Sequence, residues 1–180
     1  EASEIEVRLG ATWLDKKYIE QFMYETFETP RYLRGQIEIS YVPYTAEWQV
    51  SRKSMVRYND VAAFTTYGTD RASAYRLLED ALNLRDIRIY DTIEDADGRE
   101  RRVLNAKETT LAAQKQQLIR DAFKDWIWKD PERRETLVRQ YNEEMNSTRP
   151  REYDGSHIVF SGMNPEITLR EHQRNAIAHV

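Results

Sequence analysis

The stretch that decides the fold runs from Asn59-Asp-Val-Ala-Ala-Phe-Thr-Thr-Tyr-Gly68 through Thr69-Asp-Arg-Ala-Ser-Ala-Tyr-Arg-Leu-Leu-Glu-Asp-Ala-Leu-Asn83 to Ile87-Arg-Ile-Tyr-Asp-Thr-Ile93 and Arg101-Arg-Val-Leu104. Asn59 or Asp60 supplies an N-cap for a short helix over 61–67, which Gly68 ends. Thr69 or Asp70 caps a second helix over 71–83, with Ala74, Leu77, Leu78, Ala81 and Leu82 on one face. The alternating runs that follow flank Glu94-Asp-Ala-Asp-Gly98, and an Asp-Gly pair between such runs signals a hairpin. Helix, tight turn, helix and two-stranded hairpin is the order of a winged helix-turn-helix, which makes 59–104 a candidate winged-helix unit. On that reading the second helix exposes Arg71, Ser73, Tyr75 and Arg76 toward phosphates or base edges, and the hairpin adds Arg99, Arg101 and Arg102. Its tip also carries Asp91, Glu94, Asp95 and Asp97, which phosphates repel. An ordinary α+β region, or one used to dock protein, therefore stands beside DNA contact.

Toward the N-terminus, Ile5, Val7 and Leu9 alternate with Glu4, Glu6 and Arg8, the pattern of a short half-buried strand ending at Gly10. Thr12 or Asp15 starts a helix over 15–27 whose apolar positions are Tyr18, Ile19, Phe22, Met23 and Phe27. Ile37, Ile39 and Tyr41 alternate again, Pro43-Tyr-Thr45 interrupts, and Glu47-Trp-Gln-Val50 resumes, which predicts a hairpin. Toward the C-terminus, Asn105-Ala-Lys-Glu108 resembles a capping box and opens a long helix to about Lys129. Its expected stripe is Leu111, Gln114 or Lys115, Leu118, Ile119, Ala122, Phe123, Trp126 and Ile127. Trp126 and Trp128 are read as core. Asp130-Pro131 ends that helix and starts another through Leu137, Val138, Tyr141 and Met145. Pro150, Gly155 and their charged neighbours mark 147–156 as a linker; beyond it lie a strand over 157–160, a turn and a last helix from Leu169.

The chain has 180 residues and 27 Lys+Arg against 31 Asp+Glu, a net charge of −4. That balance argues against binding nucleic acid over the whole surface but leaves room for a local basic patch. No cysteine is present, which removes disulfides, thiolate zinc and cysteine catalysis together and fits a reducing, cytoplasmic setting. No apolar run approaches the roughly 20 residues of a membrane span, so no membrane partner is expected. The six glycines form neither phosphate-cradling pattern, and His172 and His179 sit seven residues apart, too far to share a metal as an i, i+4 pair does. Asp95-Ala-Asp97-Gly98 fails as a calcium loop because Ile93 and Leu104 fall on ligand positions. No metal site and no catalytic set is expected. The chain starts without Met, and its last helix lacks a Gly, Asn or Pro stop, so it reads as a piece of something longer.

The segment Ile167-Thr-Leu169-Arg170-Glu-His-Gln173-Arg-Asn-Ala-Ile177 resembles the nucleotide-sensing stretch before the phosphate loop in superfamily-two helicases and Swi/Snf-type translocases. Those enzymes show Leu-Arg-Pro-x-Gln; here Glu171 stands where Pro is common. Leu84-Arg-Asp-Ile-Arg-Ile-Tyr90, Val103-Leu-Asn-Ala-Lys-Glu108, Phe123-Lys-Asp-Trp-Ile-Trp-Lys-Asp-Pro131 and Ser147-Thr-Arg-Pro-Arg-Glu-Tyr-Asp-Gly-Ser-His157 look like the large methyltransferase–helicase proteins of bacterial conjugative elements and phages. The resemblance implies a parent that uses ATP and Mg²⁺ for helicase work and S-adenosylmethionine for adenine methylation of DNA. It assigns adenine sensing to Gln173, with Leu169 and Arg170 beside it, and supplies no other residue for either reaction. The chain is therefore expected to be an α+β accessory domain over 1–146, a linker over 147–156, and the start of a motor domain over 157–180. It would be inactive alone, helping to hold DNA or to dock neighbouring methyltransferase and helicase domains; the alternative is a structural spacer or docking module without DNA contact.

Overall fold

The computed structural model describes residues 5–145, 156, 158–159, 161–162, 164 and 167–178. The chain divides into two compact units, 1–141 and 142–180. The first is an α+β mixture of helices and short antiparallel hairpins. Its elements are α1 (Lys16–Thr26), β1 (Ile39–Val42), β2 (Glu47–Val50), a 3-10 turn (Lys53–Met55), a π-helical turn (Ala62–Thr66), α2 (Ala74–Leu82), β3 (Tyr90–Glu94), β4 (Glu100–Leu104), α3 (Ala106–Lys129) and α4 (Pro131–Glu144), the last running on into the second unit.

Polar side chains start the helices as expected, at one revised position. The Asp15 carboxylate accepts from the Lys17 amide, and Asn105 Oδ1 accepts from the Glu108 amide at 3.0 Å. α2 begins later than its sequence pattern suggests: Thr69–Ala72 closes a tight turn, with the Thr69 amide donating to the Ala72 carbonyl at 2.8 Å. That turn leaves Ser73 as the cap. Gly68 is required before it, because a Cβ there would lie 2.0 Å from the Ala63 carbonyl oxygen.

The core joins α1, α2 and α3. Phe22 meets Phe123 edge-on at 5.1 Å between ring centres, and Phe27 meets Tyr75 at 5.3 Å. α2 packs on α3 and on β2. Side chains of α2 and its C-cap also close the open edge of β2: Asn83 accepts from the Trp48 amide and donates to its carbonyl, both at 2.8 Å, and Glu79 accepts from the Val50 amide at 2.7 Å. On the other edge Glu20 accepts from the Ile39 amide at 2.9 Å. A two-stranded ribbon alone is marginal; here helix side chains take the place of a third and a fourth strand.

Four further sequence expectations change. Ile5, Val7 and Leu9 are buried in alternation but pair with no strand, because period-two patterning reports burial and not hydrogen bonding. The buried stripe of α3 is Ala112, Gln116, Ile119, Phe123 and Ile127, whereas Leu111 and Leu118 remain 41% and 43% exposed. The register turns because the Gln116 amide is drawn inside to donate to the Arg85 carbonyl at 2.8 Å. Trp126 and Trp128 are half-buried against the core and not in it. Arg133 lies 3.6 Å over the Trp126 ring and donates to the Ile127 carbonyl, so it closes the end of α3 from within α4. Finally, Tyr75 is fully buried and not exposed on a recognition face.

In the second unit, α5 (Glu171–Ala178) is described. The linker read over 147–156 lies outside the described residues except for Ser156, and of the strand read over 157–160 only Ile158 and Val159 are described.

Candidate functional site

The outer face of α2 is narrow. With Ala74, Tyr75, Leu77, Leu78, Ala81 and Leu82 buried, Arg76 is its exposed cation beside the half-exposed Glu79 and Asp80. Burial raises the Asp80 carboxyl above its ordinary value, with Arg76 the main opposing charge. A helix covered on two sides does not enter a DNA groove by its flank. What it presents is its N-terminal end.

There a groove of about 240 Å³ opens, lined among others by Lys53, Tyr58, Phe64, Asp70, Arg71 and Arg76. Arg76 donates a long 3.4 Å bond to the Arg71 carbonyl. Arg71 in turn ties the groove to the base of the β3–β4 hairpin, donating to the Tyr90 carbonyl at 2.9 Å and pairing with Asp91 at 2.8 Å. Arg102 sits 4.8 Å from the centre of the Tyr90 ring. Three of the five nominated arginines, Arg76, Arg71 and Arg102, thus form one chain of contacts. Strand alternation sends Arg101, opposite Ile93, to the other face of the ribbon, and Arg99 lies at the turn. The hairpin is exposed or half-exposed along its length and stands off the core.

Asp91 is the anchor of that hairpin. Hydrogen bonds from Arg71 and then from Asn105 hold its carboxyl below the usual carboxylate range. Because the folded value is depressed, the attachment it gives is present above the ordinary carboxylate range and weakens as pH falls through the folded value. A carboxyl-carbon NMR titration should therefore place Asp91 below its peptide reference. Arg71→Ala should move the midpoint back up; an unchanged midpoint would remove Arg71 as the cause.

Sequence reasoning placed Arg71 and Arg76 together but missed Lys53, Tyr58 and Phe64. For Lys53 and Tyr58 the signal was the basic–aromatic run Ser51-Arg-Lys-Ser-Met-Val-Arg-Tyr58, of which Lys53–Met55 forms a 3-10 turn; Phe64 carried none. In the second unit, Gln173 Oε1 accepts from the Arg170 amide at 2.9 Å, the return arm of a capping box. Gln173 and Arg170 are exposed and Leu169 is half-buried. Adenine reading by that amide requires its oxygen to be shared with, or released from, the cap of its own helix. Among the described residues no group of His, Asp and Glu is placed to hold a metal ion. No helix there is long and apolar enough to cross a membrane.

A family model described as a domain of unknown function, DUF8437, matches residues 8–147, and the chain belongs to that family. No curated protein and no solved structure matches it.

Proposed function

We propose that this member of the DUF8437 family is a non-catalytic, DNA-contacting accessory region of a larger DNA helicase–adenine methyltransferase. The observation that carries the DNA contact is the run of arginines from the end of α2 to the hairpin, Arg76–Arg71–Tyr90–Arg102, on a segment that stands off the core. The resemblance of the sequence to methyltransferase–helicase proteins supports the context. In that setting ATP and Mg²⁺ serve the motor and S-adenosylmethionine serves the methylase. Gln173 belongs to adenine sensing by resemblance alone, with Leu169 and Arg170 beside it.

The electrostatics set the strength. Arg71 is paired with Asp91 and Lys53 with Glu79, so the patch offers few unpaired cations. Binding of duplex DNA should lie in the range of roughly 10⁻⁴–10⁻⁶ M at physiological salt and fall as salt rises. Replacing both Arg71 and Arg76 with Ala should reduce the salt slope by about one unit for each phosphate that is no longer neutralised. Fluorescence anisotropy of a labelled duplex with the 180-residue chain measures both. A second reading has its own observation: Glu94 and Glu100 face each other at the end of the ribbon, beside Asp95 and Asp97, and all four are exposed. Those acids suit a basic protein surface. Duplex binding indifferent to both arginines decides for docking.

A further inference from the structure

The groove at the start of α2 holds a feature that phosphate contact leaves unused. Tyr58 is 79% exposed, and its ring lies 4.9 Å from that of Phe64 at an angle of 31°. A single exposed tyrosine needs no explanation. A tyrosine backed by a second ring, in a groove it shares with Lys53, Arg71 and Arg76, is a platform beside cations. Its volume of about 240 Å³ is below the roughly 300–1,000 Å³ of pockets that enclose a whole small ligand. A segment of a longer strand, laid across the groove, fits better than a free nucleotide.

Charge points the same way. Lys53 lies 2.5 Å from Glu79 and Arg71 2.8 Å from Asp91, while Asp70 also lines the groove. Arg76 is exposed, faces the charge of Asp80 without an ion pair among the described residues, and holds one long bond, so part of its guanidinium can turn to a phosphate. A site with one open cation and one aromatic platform gains little from the dense phosphates of a duplex. It gains more from an unpaired base, whose face is hidden in a duplex.

We infer that this groove binds single-stranded DNA, with a base stacked on Tyr58 and the adjoining phosphate on Arg76. The inference rests on the DNA-contacting reading above and specifies the form of DNA. The 180-residue chain is titrated with a fluorescein-labelled oligothymidylate of about 12 nucleotides, within the site sizes of single-strand binders, and with a duplex of the same length. The single strand should bind more tightly than the duplex. Its salt slope should be near 0.7, the value for about one phosphate on a single strand. Tyr58→Ala should weaken single-strand binding roughly tenfold and Tyr58→Phe should restore it, since the stacking face is kept. Both variants alter an exposed ring, and unchanged circular dichroism melts establish that the fold is intact. Single-strand binding indifferent to Tyr58→Ala, or lost equally in Tyr58→Phe, overturns the groove assignment; duplex binding that still depends on Arg76 then leaves the broader reading standing. No binding to either form overturns both.

Discussion

Phe123→Ala is expected to cost about 3–5 kcal/mol of stability, the range for removing a fully enclosed aromatic ring. Phe123 has no exposed surface and joins α3 to α1 through edge-on contact with Phe22 at 5.1 Å, with Trp126 stacked at 6.4 Å. Neighbours held by three helices cannot collapse into the space, so the cavity term adds to the lost transfer energy. For a chain of this length the melting temperature should fall by about 10 °C. Leu118→Ala is the matched control. It lies on the same helix and belongs to the stripe that sequence periodicity favours, but it is 43% exposed. Its replacement should cost under about 0.5 kcal/mol. Scanning calorimetry of the two variants tests which face of α3 holds the molecule together, and equal losses would reject the face centred on Phe123.

The contrast between these residues shows what the sequence could convey. Asp15, Asn105 and the Asp97-Gly98 turn were legible because each acts over three or four residues, whereas the cap of α2, expected at Thr69 or Asp70, falls on Ser73. Pairing of β3 with β4 follows from the same local signal. What escaped depends on partners far along the chain. Gln116 is inside because the Arg85 carbonyl, 31 residues away, needs a donor; Tyr75 is inside because Thr29, 46 residues away, offers a hydroxyl. Periodicity treats Gln as a surface residue and Tyr as indifferent, so both errors have one cause. The groove escaped for a related reason. Lys53, Tyr58 and Phe64 precede Gly68 and Arg71 and Arg76 follow it, so the groove forms where two segments meet and no single periodic pattern marks it. Arg71 and Arg76 were found because they sit on one short segment.

Tyr75 is expected to contribute to the loss of stability at alkaline pH. Burial pushes its phenol from an ordinary 10.0 up to about 12. Its hydroxyl shares a 2.7 Å hydrogen bond with Thr29 Oγ1, which lowers the value, and burial outweighs it. Below pH 10 neither the folded nor the unfolded chain has lost this proton, and the contribution of the pair is intact. Between pH 10 and 12 the unfolded chain ionises while the folded chain keeps the proton, and stability falls with pH. A shift of that size amounts to about 3 kcal/mol lost by the upper end of that window. Tyr75→Phe should cost about 1 kcal/mol near neutrality, for the hydrogen bond, yet remove this part of the alkaline slope. Denaturant melts of both chains across the window isolate the part of the slope that depends on the Tyr75 hydroxyl. The consequence reaches the groove, because Tyr75 lies between Ser73 and Arg76 in the first turn of α2. Loosening its bond to Thr29, just beyond α1, is expected to loosen the end of the helix that carries Arg76. Parallel loss of stability in the two chains would mean that the Thr29–Tyr75 pair does not hold that end.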